Sequence, residues 1–244
     1  MVVLRPGEEL TDRDELILQA QLAEEAERYD DMMKFMTDAV KLHSKLNQEE
    51  RRLLYHGFRN AAGIRRTSIF VLKNSEDVEI DKGKVQAYVD NINHEVWGIC
   101  KCIIELLDQH IIPANDTKDD RAFYLKMKAD YYRYMAEIER DNGDVIDNAQ
   151  TAYTQGLFEA ENSLPPMDQT RLALVLNLSV FCHDILGDTE EACCIVESTL
   201  DDLSGREEFC PPESVIPLHM LRDNLQLWTQ ETAESEDELV LSLR

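Results

Sequence analysis

Glycine and proline are scarce in this chain of 244 residues, at 9 and 7, and runs of β-branched residues are few. That combination argues against a sheet built on tight turns and favours long helices. No apolar run approaches the ~18–20 residues that a membrane-spanning helix needs. Met1 to Glu9 carries no apolar stretch of the signal-peptide kind, so none is expected. Positive charge is scarce as well: 25 Lys and Arg stand against 49 Asp and Glu, a formal net charge of -24. Such a surface repels nucleic acid and anionic membranes, and general binding to either is excluded.

Ligand spacings and catalytic motifs are missing too. The cysteines (Cys100, Cys102, Cys182, Cys193, Cys194, Cys210) contain no C-x-x-C and no zinc-knuckle spacing. Adjacent Cys193 and Cys194 point in different directions on a helix and cannot easily pair. Reduced, mostly buried thiols are expected, which suits the cytosol. His94-Glu95 begins like H-E-x-x-H, but Gly98 stands at the second histidine position. There is no E-x-x-H pair, G-x-S-x-G, P-loop or G-x-G-x-x-G. Asp30-Asp31 and Asp119-Asp120 fall at helix starts, where carboxylates serve the helix dipole. The chain is therefore expected to be no enzyme and to need no metal or cofactor.

What the chain has is helical periodicity almost from end to end, with 43% hydrophobic residues, enough for a real core. A first helix is expected from Thr11 or Asp12 to about Glu25, with Leu16, Leu18, Ala20, Leu22, Ala23 and Ala26 as its apolar stripe. A second is expected from about Glu27 to Lys45. The capping-box pattern Asn47-x-x-Glu50 opens a third, through Leu72. Further helices are expected over Gly83 to His110, Asp119 or Asp120 to Arg140, Asp144 to Ser163, Asp168 to Leu186, Thr189 to Leu203, and from a Ser214 cap to about Gln230. Pro217 then falls in a first turn, where its missing N–H does no harm. Nine helices with short, antiparallel links and no credible strand make an all-α fold. The acidic segment 231–244 is expected to be a disordered tail.

The few basic residues are concentrated. Arg51 to Lys73 holds six of them and Lys118 to Arg133 five. Arg59 and Arg66 are i,i+7, as are Lys126 and Arg133, so each pair lies on one helical stripe. Two basic stripes in an acidic protein suggest a focused anion site; ordinary surface ion pairs are the other reading, and spacing alone leaves both open. Arg66 and Arg133 can clamp a phosphate bidentately, and Tyr134 can donate its hydroxyl. Asn177 and Asn224 interrupt apolar stretches, and an amide that donates and accepts suits an extended peptide backbone.

Long segments carry a resemblance over about residues 12 to 230. They are Leu22-Ala-Glu-Glu-Ala-Glu-Arg-Tyr-Asp-Asp-Met32, Arg52-Leu-Leu-Tyr-His-Gly-Phe-Arg-Asn60, Gly63-Ile-Arg-Arg-Thr-Ser68, Phe123-Tyr-Leu-Lys-Met-Lys-Ala-Asp-Tyr-Tyr-Arg-Tyr134, Leu176-Asn-Leu-Ser-Val-Phe181 and Leu221-Arg-Asp-Asn-Leu-Gln-Leu-Trp-Thr229. In these the chain resembles the 14-3-3 proteins. The resemblance implies one helical domain over residues 1–230, with residues 1–10 as an N-terminal extension, forming a cup-shaped protomer of a dimer. Each protomer would bind a phosphoserine or phosphothreonine segment of a client in an amphipathic groove. It places Arg59, Arg66, Arg133 and Tyr134 at the phosphate, with Arg59 where the family usually has a lysine. Lys126, Leu176, Asn177, Val180, Asp184, Ile216, Asn224, Leu225 and Trp228 fall at the peptide, with Asp184 replacing a glutamate that helps order the basic cluster. Phe70 stands at a usually basic position and Pro217 at an aliphatic one, and the loop from Ser204 to Pro212 is short.

Leu22, Ala26, Arg28, Ser68, Tyr88 and Glu95 match the family's dimer interface, as homodimer or as heterodimer with related chains. Asn91 stands where Asp31 would usually meet a lysine, and losing one exposed ion pair costs about 0–1 kcal/mol. The implied role is a phosphorylation-dependent adaptor of the cytoplasm, with a nuclear pool left open. The competing reading is a TPR-like scaffold for unphosphorylated acidic peptides, although no period of about 34 residues holds along the chain.

Overall fold

The structure, a computed structural model, describes residues 11–74, 82–115, 117–205 and 210–242, excepting the side chains of 234–242. The expected N-terminal extension, 1–10, lies outside these, as do the ends of the expected tail at 243–244. Helices account for the ordered elements and no strand occurs among the described residues, the all-α class read from the sequence. The contacts cluster into two compact units, residues 1–116 and 117–244, where the sequence suggested one domain.

The first unit contains α1 (Asp12–Glu25), α2 (Tyr29–Leu42), α3 (Gln48–Asn74) and α4 (Lys82–Leu106). Thr11 caps α1 in a capping box with Asp14. Asn47 and Glu50 form the box expected at α3: the Glu50 N–H donates to Asn47 Oδ1 and the Asn47 N–H to Glu50 Oε2, each at 3.0 Å, satisfying two donors that a helix start otherwise orphans. Glu50 also receives both terminal nitrogens of Arg13, at 2.7 and 2.8 Å, so one carboxylate caps α3 and ties it to α1. Each helix packs on its neighbour in sequence, and α1 also reaches α3. The buried positions of α1 are Ile17, Ala20 and Ala23. Leu22, assigned to the apolar stripe, is exposed. Ile17 takes the inward place because 17, 20 and 23 lie on one side of the helix.

α2 starts at Tyr29, later than Glu27, because Glu27 has φ +53, a left-handed residue that cannot continue α1 into α2. It ends at Leu42, since His43 is extended. α4 does not stop at His110. It widens into a π-helical turn over Leu107–Ile111 and closes with one turn, Ile112–Ala114, which contains Pro113.

The second unit contains α5 (Lys118–Ile138), α6 (Gly143–Ser163), α7 (Gln169–Phe181), α8 (Thr189–Leu203) and α9 (Val215–Ser242). The α5–α6 pair has the most extensive packing in the molecule. Gly156 suits it: a Cβ there would sit 3.0 Å from Leu174 Cδ2 and 3.3 Å from Leu125 Cβ, so a side chain would require those neighbours to give by a few tenths of an ångström. Tyr153, Leu172, Leu174, Phe181, Leu221 and Trp228 share one core cluster, each large side chain contributing about 1.5–3 kcal/mol by burial. A π-helical turn, Cys182–Leu186, ends α7, and Gly187 follows at φ +68, a left-handed cap that glycine adopts without strain.

Ser214 does not cap α9. It is buried in a short 3-10 turn, Pro212–Ser214, and its hydroxyl donates to the Met167 carbonyl at 2.7 Å. Pro217 sits in the first turn of α9, the place the sequence assigned. α9 runs on to Ser242, where an end near Gln230 and a disordered tail were expected. The residues there (Ala233, Glu234, Glu236, Glu238, Leu239) include strong helix formers and neither glycine nor proline interrupts them. Of the six cysteines, Cys100 and Cys182 are buried and Cys194 is exposed; all are free thiols. Burial, with Glu191 and Asp188 nearby, pushes the Cys182 thiol up to about 11.

Candidate functional site

α5 carries a buried polar cluster. Thr117 caps it by accepting from the Asp120 N–H. From there the helix sets Lys126, Asp130, Arg133 and Glu137 at spacings of three and four, one above another on one face. Asp130 is buried and accepts three hydrogen bonds at 2.7 Å: from Lys126 Nζ, from the Tyr153 hydroxyl on α6 and from Asn177 Nδ2 on α7. Arg133 Nε donates to the Tyr153 oxygen at 3.2 Å, and its Nη1 to Glu137 Oε1 at 2.7 Å. The Arg133 guanidinium lies 5.0 Å from the ring centre of Tyr134.

The charges support one another. Burial opposes ionisation of Asp130, but Lys126 and Arg133 outweigh it and hold the carboxyl below its ordinary value. Burial likewise opposes the charge on Arg133; Tyr153, Asp130, Glu137 and Tyr134 outweigh it and raise its pKa. Burial, then Asp130, raises Tyr153 well above the phenol value. The cluster therefore carries a permanent cation and a permanent anion with a neutral phenol between them.

Lys126, Arg133 and Asn177 thus meet through two groups that sequence reading did not single out, Asp130 and Tyr153. Glu137 was missed as well. The i,i+4 pairs Lys126–Asp130 and Arg133–Glu137 were a usable signal. Tyr153, 20 residues from Arg133, had none. Asp184 was expected beside the basic cluster, but its carboxylate lies 2.7 Å from His183 Nδ1, and its backbone carbonyl accepts from Arg140. Glu137 supplies the carboxylate on Arg133. His183 in turn stacks on Trp228 at 4.9 Å and meets Glu231 Oε2 at 3.3 Å, which ties the end of α7 to α9.

Of the apolar residues assigned to the peptide, Leu176 and Trp228 are buried in the core cluster, with Val180 and Leu225 packed against it. Asn224 is half-buried on α9. Among the described side chains, α9 exposes the apolar Val215, Ile216, Met220 and Leu227; all but Ile216 were missed, because α9 is apolar on several faces and spacing does not say which is covered.

In the first unit, α3 carries Arg59 and Arg66, the former exposed with its guanidinium 5.9 Å from the Tyr55 ring centre, the latter half-buried. Other basic residues of the two rich stretches serve as ion pairs. Arg52 joins Glu24 and Glu49, and Arg65 joins Asp30 and Glu95. Arg121 meets Glu159. The ion-pair reading of the basic stretches thus holds for these residues. Among the residues assigned to a dimer interface, Leu22 and Tyr88 are 58% and 59% exposed, unusually open for large apolar side chains, and Ala26 is exposed. Ser68 is half-buried, its hydroxyl donating to the Ile64 carbonyl at 3.0 Å. Arg28 pairs with Asp31, and Glu95 with Arg65, within the chain. Phe70 is 68% exposed. Among the described residues no helix is long and apolar enough to cross a membrane.

The family model described as 14-3-3 protein matches residues 19–229. The chain is 36% identical over 235 residues to 14-3-3 protein beta/alpha-B of Xenopus laevis, covering 92% of this chain and 96% of that protein.

Proposed function

The chain belongs to the 14-3-3 family, and on that premise we propose the residues through which it works as a phosphoserine- and phosphothreonine-dependent adaptor. Arg59, Arg66, Arg133 and Tyr134 grip the phosphate. Lys126, Asn177 and Asn224 hold the peptide backbone. Ile216, with Met220 and Leu227 added by their exposure, meets the client's apolar side chains, while Leu176, Val180, Leu225 and Trp228 back that wall. Asp184 acts on the peptide side through His183. The adaptor needs no bound cofactor, and its action is binding: it holds a client segment and so masks a site or bridges two clients.

One observation supports this most. Arg133 is largely buried, yet its fork is fixed by Tyr153 and Glu137 and its charge is balanced by a fully engaged Asp130. A guanidinium held this way is pre-organised for a bidentate anion, and each charge-assisted hydrogen bond adds about 1.5–3 kcal/mol. A TPR-like scaffold for unphosphorylated peptides is not favoured, since the family model covers most of the chain.

The protein works as a dimer, homodimeric or with related chains, in the cytoplasm or nucleus, without nucleic acid or membrane as partner. Leu22 and Tyr88, with Ala26, Arg28, Ser68 and Glu95, form the dimer contact. The direct test of the adaptor reading is fluorescence anisotropy with a labelled R-x-x-pS-x-P peptide and its unphosphorylated twin. Saturable binding of the phosphorylated peptide alone is expected. Equal binding of both would overturn the reading.

A further inference from the structure

Tyr153 lies wholly inside the second unit, and its hydroxyl is the meeting point of opposite charges. It accepts from Arg133 Nε at 3.2 Å and donates to Asp130 Oδ1 at 2.7 Å. The same Asp130 oxygen takes Asn177 Nδ2, and its other oxygen takes Lys126 Nζ. We propose that Tyr153 is a positioning residue that sets the pose of Arg133 for phosphate and links it to the peptide-holding Asn177 and Lys126. The inference rests on the adaptor reading given above.

A phenol suits this place for chemical reasons. It can accept from a cation and donate to an anion at once, as a phenylalanine cannot and a carboxylate does not. Being neutral, it spans the gap between Arg133 and Asp130 without neutralising either. In its absence a buried arginine and a buried aspartate are drawn together by their charges. A direct pair of that kind would turn the guanidinium inward and spend on Asp130 the charge that a phosphate should meet.

Packing fixes where the hydroxyl sits. Tyr153 is 0% exposed, and its ring lies 5.7 Å from that of Phe181. Gly156, three residues on and so on the same face of α6, lets α6 come within 3.5 Å of the Lys126 amide at its missing Cβ. The close approach brings the phenol to α5, and the ring holds its angle. Arg133 is thereby aimed from behind, by a residue that does not itself touch the client.

The test is Tyr153→Phe in the full chain, read with the R-x-x-pS-x-P peptide and its unphosphorylated twin. Affinity for the phosphopeptide should fall about tenfold, the lower end for a hydrogen bond to a charged group because the residue acts at one remove. The unphosphorylated peptide should show no saturable binding to either protein. Phosphorus NMR supplies a readout that loss of structure alone would not move. The bound phosphate should titrate closer to the ordinary value of about 6 in the variant than in the wild type. If the wild type binds and the variant binds equally well, the inference falls and the adaptor reading stands. If the wild type does not bind the phosphopeptide, the adaptor reading falls and takes this inference with it. Should the variant not fold, the wild type decides alone. The Arg133 Nε–H signal, identified by its loss in Arg133→Lys, should be protected from solvent exchange; exchange as fast as that of an exposed arginine would overturn the proposal.

Discussion

Removing the Asp130 carboxylate should cost the protein more than any other single truncation at this site. Asp130→Ala deletes the acceptor of three hydrogen bonds at once, from Lys126, Tyr153 and Asn177. It also leaves two cations, with side chains only 11% and 13% exposed, without their buried counter-charge. Stranding a buried charge by deleting its partner costs about 3–5 kcal/mol. An orphaned neutral donor adds about 1–3 kcal/mol. Against this, Glu137 still holds Arg133, and the lysine stem can swing its ammonium toward water. A net loss of about 4 kcal/mol follows from the balance of these. For a chain of this size that is a fall in melting temperature of about 8–16 °C. Urea unfolding of the wild type and Asp130→Ala measures it. The double variant Lys126→Met, Asp130→Leu should recover part of the loss, because it removes charge and counter-charge together. A single variant within about 1 kcal/mol of the wild type would refute the argument that this carboxylate anchors the cluster.

Two further outcomes follow from the first unit. Burial opposes ionisation of Glu50, but Arg13 and the Asn47 N–H outweigh it and leave the carboxyl below its ordinary value. A depressed carboxylate contributes stability above its unfolded value of about 4.3 and loses it as pH falls through the lower folded value. Glu50→Gln should therefore be less stable than the wild type at neutral pH, with the gap closing below about pH 4; acid titration followed by circular dichroism checks this, and a pH-independent gap would sink it. Leu22→Glu should shift the protein toward the monomer in sedimentation equilibrium, since it puts a charge on the exposed apolar face of α1. An unchanged mass would remove Leu22 from the dimer contact.

Local chemistry made much of the fold legible. Asn47 and Glu50 announce the start of α3 because a capping box is written in residues three apart. Gly187 announces the end of the α7 segment because few other residues accept its backbone angle. Features set by neighbours were not legible. The left-handed Glu27 carries no marker, so α2 seemed to begin too early. Ser214 has the right side chain for a cap, yet its hydroxyl goes to Met167, 47 residues away. The same division runs through the site. Arg133 stands out by its basic company, and the resemblance assigns it a role. Tyr153 is silent in sequence, because its partners come from other turns and other helices. Asp184 illustrates the limit of carrying a role across: the position matches, but His183 beside it captures the carboxylate.

The central claim is that phosphate recognition runs through Arg133. Its most direct measurement is the equilibrium affinity of the full chain for the R-x-x-pS-x-P peptide, beside that of Arg133→Glu, with folding of both checked by circular dichroism. Reversing the charge should cost at least two charge-assisted hydrogen bonds, about 3 kcal/mol or more, a loss of over a hundredfold. A folded Arg133→Glu protein that binds the phosphopeptide as tightly as the wild type would contradict the account.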